Sequence, residues 1–256
     1  MDVTLLVVSA PSASSSRDSS IGSSGGAGSR RSPGPVVAID GPSGSGKSTV
    51  ARRVAAELGL RYLDTGAMYR AVTWWLLEHD VDLSDTERVA ALAAQAPVHV
   101  GLDPEHPTVR VGDVDVAAAI RESRISAAVS AVATNLGVRD TLVAQQQGTA
   151  REGGVVIEGR DITTVVAPDA LVRVLLTASE EARLARRALD VHGSADDDAV
   201  HATRDQIVRR DADDSTVAKF HQAADGVDVV DSSHLSLDET VEVVLALVRR
   251  RSGAQA

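Results

Sequence analysis

The sequence predicts an α/β fold in which helices cover both faces of a parallel sheet. Three observations carry that expectation. Short Val-, Ile- and Leu-rich runs alternate with longer helical stretches along the chain, the order of strands joined by crossover helices. Those runs are apolar throughout, as in strands buried on both faces. The first of them opens directly into a glycine-rich turn that precedes a helix start.

The elements follow in order. Residues 1–34 are rich in Ser, Gly, Ala and Arg, and are expected to be a disordered tail because they carry too little apolar surface to fold. No secretory leader is expected there: Asp2 stands where a positive charge belongs, and the apolar run Leu5–Val8 is too short. Val36–Ile39 reads as a buried strand and Ser48–Leu58 as a helix. RYLDTGAMYR, residues 61–70, is a short strand turning into a helix that ends near His79. Asp85–Gln95 is helical. Val98–Leu102, Thr108–Val111 and Val114–Val116 are short strands, with Gly112-Asp113 as a hairpin turn. They are too brief for the main core. Two Ala-rich helices follow, near Arg121–Ala133 and Gly137–Glu152. Val155–Ile157 and Ala170–Leu176 are buried strands. Glu180–Leu189 and Ala199–Arg210 are helices joined by the polar loop VHGSADDD, and Val227–Val230 and Leu237–Arg250 are the last strand and helix.

Composition narrows the function. The chain has 256 residues, and about 222 remain after the tail, enough for one α/β domain with an insert. There is no cysteine, which excludes disulfides and cysteine-rich zinc sites and suits a cytoplasmic protein. The net charge of −10 argues against broad nucleic-acid binding. No apolar run is long enough to span a bilayer. The histidines show no metal-ligand spacing. Aromatic residues are 2% of the chain, and no sticky patch is evident, so a monomer is expected.

The chemistry begins at Gly41-x-x-x-x-Gly46-Lys47-Ser48, a phosphate-binding loop. Its glycines let successive backbone N–H groups turn inward around a phosphate chain. Gly41, Pro42, Ser43, Gly44, Ser45, Gly46, Lys47, Ser48 and Thr49 are the expected ATP-binding residues. Lys47 can reach the β- and γ-phosphates, and the Ser48 hydroxyl can hold Mg²⁺. In such folds ligands sit at the carboxyl ends of the strands, where Asp64, Thr65 and Gly159–Asp161 also fall. Arg70 and Arg160 follow strand ends, where forked guanidinium groups could bind an acceptor phosphate; the bland alternative is pairing with Asp64 or Asp161. Arg183, Arg186 and Arg187 share one helix face and could close over ATP as a lid, or be a solvated charged face. Arg210 and Asp214 are four apart, on one face if the helix continues. Glu158 could orient a Mg²⁺-bound water or be a plain strand-end carboxylate.

At this point the chain resembles the cytidylate kinases. The resemblance is carried by AIDGPSGSGKST at 38–49, LDTGAMYR at 63–70, Ile120-Arg121, Ser130 with Val138-Arg139, IEGRDITTVVAPDA at 157–170, and Arg209-Arg210-Asp211 with Asp214. It spans about residues 35–250. It implies a parallel-sheet P-loop kinase core with helices on both faces, a monophosphate-binding insert at about 66–153 containing the small antiparallel sheet, and a short lid at about 183–200. The domain would run over 35–252, with 253–256 a second tail. The implied reaction is ATP-dependent phosphorylation of CMP and dCMP with Mg²⁺. The implied catalytic residues are Lys47, Arg70, Arg160, Arg183 and Arg187. The implied CMP-binding residues are Asp64, Thr65, Arg70, Ser130, Arg139, Arg160, Asp161, Arg210 and Asp214, with Asp161, Arg139 and Ser130 reading cytosine. One departure stands out. Val217 occupies a position where the family carries a third phosphate arginine, and Lys219 is expected to take over. Two other functions stay open here: a P-loop kinase acting on AMP, UMP or a metabolite, and a nucleotide-binding module without turnover.

Overall fold

The protein was analysed as a computed structural model, which describes residues 6–7, 34–192 and 196–253. The described chain starts with β1 (Leu6–Val7), then β2 (Val36–Asp40), α1 (Lys47–Leu58), β3 (Arg61–Asp64) and α2 (Thr65–Glu78). Next come α3 (Thr86–Ala93), β4 (Val98–Val100), β5 (Val109–Val111), β6 (Val114–Asp115), α4 (Ser123–Ala133) and α5 (Leu136–Glu152). The last part comprises β7 (Val155–Gly159), β8 (Val172–Thr177), α6 (Glu180–His192), α7 (Asp197–Asp214), β9 (Asp228–Asp231) and α8 (Leu237–Gly253).

Five strands form a parallel sheet in the order β3-β7-β2-β8-β9. The central strand β2 pairs Asp40 with Gly159 on one side and with Leu175 on the other. Side chains alternate across it, as the pleat requires. Val37 and Ile39 pack into an apolar layer with Val50 and Val54 of α1 and with Val244 and Leu245 of α8. Ala38 faces the opposite layer, with Leu63, Met68, Leu76, Leu142 and Ile157. The expected α/β class with helices on both faces is what the chain builds. Trp74 and Trp75 are half-buried against the second layer.

The small sheet is antiparallel, in the order β1-β4-β5-β6. Gly112, at φ +56°, makes the turn between β5 and β6, a conformation open to glycine. Within the stretch expected to be a tail, Leu6–Val7 pairs with Val100 and His99 on the free edge of β4. Residues 1–5, 8–33 and 254–256 lie outside the described residues.

The strand ends are where the local signals matter most. Asp64 caps α2 by accepting the Ala67 N–H at 2.8 Å, and Asn135 caps α5 by accepting the Val138 N–H at 3.2 Å. After β7 the chain makes a single π-type turn, Ile162–Val166. Asp40 anchors it by accepting the Ile162 N–H at 2.8 Å, the Thr163 N–H at 2.9 Å and the Thr163 hydroxyl at 2.6 Å. The helix expected at Ala199–Arg210 is longer at both ends, so Arg210 and Asp214 share one continuous helix. Of the polar loop before it, residues 193–195 lie outside the described residues.

Candidate active site

The loop Gly41–Gly46 leaves β2 and delivers the chain to the N-terminus of α1. Gly44 and Gly46 sit at φ +76° and +87°, and a Cβ on Gly44 would lie 2.5 Å from the Arg183 carbonyl oxygen. Only glycine meets both demands there. Lys47 Nζ lies 3.5 Å from the Pro42 carbonyl oxygen and 3.9 Å from Glu158 Oε2. The Ser48 hydroxyl donates to Glu158 Oε1 at 2.7 Å. Glu158 is the second-last residue of β7, and its side chain is 2% exposed. Burial first, then the neighbouring Asp64, raises its pKa, while Lys47 and Ser48 pull it back. Burial lowers the pKa of Lys47 against the opposing pull of Glu158.

Beside this loop opens a cleft walled by several elements of the fold. Ser43, Lys47 and Ser48 form its phosphate-loop wall. Asp64, Thr65 and Arg70 enter from the start of α2, Arg139 from α5, Arg160 and Asp161 from behind β7, and Arg210 and Asp214 from α7. Thr65 is seated by donating its hydroxyl to the Glu158 carbonyl at 2.8 Å. Gly159 makes room for this, because a Cβ there would lie 2.4 Å from Thr65 Oγ1.

The cleft is strongly charged. Arg139 pairs with Asp161. Arg160 pairs with Asp211 at 2.9 Å and Asp214 at 3.0 Å, and donates to the Gly41 carbonyl at 3.3 Å. Asp211 also accepts the Ser43 N–H at 3.0 Å and Arg183 at 2.5 Å. Burial works to raise the Asp211 pKa, but Arg160, the Ser43 N–H and Arg183 outweigh it and hold the group below its usual range. Arg210 is pushed down to about 9, by burial first and then by Arg70 and Arg160. Its Nε is buried without a hydrogen-bond partner. Arg70 makes no hydrogen bond or ion pair among the described residues. A cavity crowded with cations beside a phosphate loop is built to take up polyanions.

The comparisons agree with this geometry. The family model described as cytidylate kinase matches residues 37–250. The chain belongs to the cytidylate kinase family. It is 45% identical to a cytidylate kinase of Streptomyces avermitilis over 230 residues, covering 88% of this chain and 97% of that protein. It is 49% identical to one from Cutibacterium acnes over 216 residues, covering 83% and 95%. A third, from Streptomyces griseus, is 46% identical over 217 residues, covering 83% and 92%. The protein is a kinase by this membership.

Within this cytidylate kinase family fold, many of the expected residues converge on one cleft, but not all. Ser130, on α4, is half-buried and does not line the cleft, whereas its neighbours Val129 and Ala133 do; on this helix the facing positions belong to them. Arg183 does not stand over the loop as a free lid residue. It donates to the Ser43 carbonyl at 3.0 Å and to Asp211, and so clamps the loop backbone. Arg186 does the same to the Ser45 carbonyl at 3.3 Å. Arg187, half-buried one residue further along α6, does not line the cleft but adds its charge near Arg210. Lys219 is exposed and outside the cleft, while Val217 and Ala218 line it. Of the phosphate loop, Gly41, Pro42, Gly44, Ser45 and Gly46 do not line this cleft, and Thr49 is exposed.

Some groups at the site had no role from sequence. Asp211 stands in the Arg-Arg-Asp motif but looks like any helix carboxylate. Tyr69 lines the cleft one residue before Arg70. Phe220, buried under Arg160 with the guanidinium carbon 4.2 Å from the ring centroid, could have been flagged only as the chain's single phenylalanine.

Proposed function

We propose that the protein transfers the γ-phosphoryl group of ATP to CMP and dCMP, giving CDP and dCDP, with Mg²⁺. The observation that carries this reading is one cleft that unites a phosphate loop, the arginines Arg70 and Arg160, and the buried Arg139–Asp161 pair. The loop amides and Lys47 hold the triphosphate of ATP. Arg70 and Arg160 take the acceptor phosphate, so that charge repulsion between the two nucleotides is offset and the reacting atoms lie in line. Asp161 accepts from the cytosine amino group, and Arg139 donates to its ring acceptors. Uracil would present an oxygen to Asp161 and be repelled. Arg210 and Asp214 face the ribose. Arg183 belongs to the donor side, where it holds the loop backbone that takes ATP, and Arg187 adds positive charge near Arg210.

The residues around Ser48 fit a hard divalent cation. The Ser48 hydroxyl and the Glu158 carboxylate are oxygen donors, the kind Mg²⁺ takes. Glu158 lies close enough to Asp64 for its pKa to be raised, a repulsion that a bound cation relieves. Ser48 and Glu158 would hold the ion, directly or through its water. Bound there, it would neutralise charge on the β- and γ-phosphates.

The reading is of a monomer acting on small nucleotides and using neither nucleic acid nor a membrane, in keeping with the net charge of −10. Among the described residues no helix is long and apolar enough to cross a membrane. The cytoplasm, where ATP and CMP are available, is the proposed location. ADP release measured with CMP, dCMP, UMP and AMP in parallel tests the reading. Turnover with CMP and dCMP well above UMP and AMP is expected. Activity confined to AMP, or none with any acceptor, overturns it.

A further inference from the structure

Phe220 lies in the irregular stretch between α7 and β9, yet its side chain is fully buried. Its ring carries the Arg160 guanidinium on one side, 4.2 Å from the centroid, and the His221 ring 4.4 Å away. His221 Nε2 is 2.9 Å from Ser215 Oγ, which ties the stretch back to the end of α7. The guanidinium is therefore held over its face by Phe220 and along its edges by Asp211, Asp214 and the Gly41 carbonyl.

These holds differ in what an anionic ligand does to them. The two carboxylates use Arg160 N–H donors that a phosphate needs, and they cancel the charge that attracts it. An aromatic face attracts the cation through its quadrupole while occupying no N–H and adding no net charge. Together with the Gly41 carbonyl bond, it survives when phosphate replaces the carboxylates. It also opposes the repulsion among Arg160, Arg70 and Arg210, which crowd the same cleft.

We propose that Phe220 is a positioning residue, whose ring keeps Arg160 flat and aimed at the acceptor phosphate throughout the catalytic cycle. The proposal rests on the CMP kinase reading. Phe220→Leu, which keeps an apolar side chain without the ring, should raise the KM for CMP about 3- to 10-fold. The KM for ATP should stay within about twofold. Phe220→Tyr should restore most of the CMP affinity. In an Arg160→Gln background, where the cation is gone, Phe220→Leu should add less than about a further twofold. Phe220→Met is read in the same way should Phe220→Leu not fold. An unchanged KM for CMP, an equal loss for ATP, or full additivity with Arg160→Gln overturns the inference alone. A parent chain that does not use CMP overturns the acceptor reading, and this inference with it.

Discussion

Asp40 stands at the hinge between the core and the site. It ends β2, precedes the phosphate loop, and anchors the turn that follows Arg160 and Asp161. Burial raises its pKa from the usual 3.8 to about 6, although the Thr163 and Ile162 donors pull it back. Between those values the folded chain holds the proton more tightly than the unfolded chain. Stability from this group is thus fully present below about pH 4 and falls as pH rises through 6. Urea unfolding from pH 4.5 to 7 should show the parent losing on the order of 2 kcal/mol relative to Asp40→Asn across that range. A constant difference would refute this assignment. Asp161 carries a different burden in the proposed reaction, where it and its partner Arg139 would read the cytosine. Asp161→Ala should cut the preference for CMP over UMP by about tenfold or more. Its KM for ATP should move little, and an equal loss for both nucleotides would count against the role. The family resemblance singles out Asp161 from sequence, whereas Asp40 reads as a strand-end acid like any other.

At the scale of elements, helix starts place the chemistry. Asp64 caps α2, which carries Arg70. Asn135 caps α5, which carries Arg139 one turn later, and its amide donates to the Thr86 carbonyl at 2.8 Å. Asn135→Ala removes both bonds and should cost about 1–2 kcal/mol of stability. Because the cap fixes the first turn, the KM for CMP should rise a few-fold while that for ATP does not. Denaturant titration and steady-state kinetics on the same variant check this. These elements were legible because capping residues and apolar periodicity are local signals. The exact reach of α7 was less so, since a charged stretch, in which Ile207 is buried, has little periodic pattern to mark its ends.

For the molecule as a whole, the cleft is an assembly of distant parts around a rigid parallel sheet. β2, β3 and β7 bring their carboxyl ends to one edge, and α5 and α7 close over them. β1 touches none of this. It adds two residues to the edge of the small sheet, so a chain without residues 1–33 should keep its kcat/KM for CMP within about twofold. Its Tm should fall by no more than a few degrees. Loss of turnover in that shortened chain would show that the N-terminal segment has a larger part.

The phosphate loop, the strand–helix order and the list of candidate arginines were written in the sequence, because each depends on neighbours a few residues apart. The partners of those arginines were not. That Arg160 lies between Asp211, Asp214 and Phe220, that Arg183 clamps the loop backbone, and that Ser130 stays out of the cleft follow from how α4, α6 and α7 pack. Packing is a balance summed over the whole chain, and short-range pattern does not encode which of several equivalent charges ends up facing which.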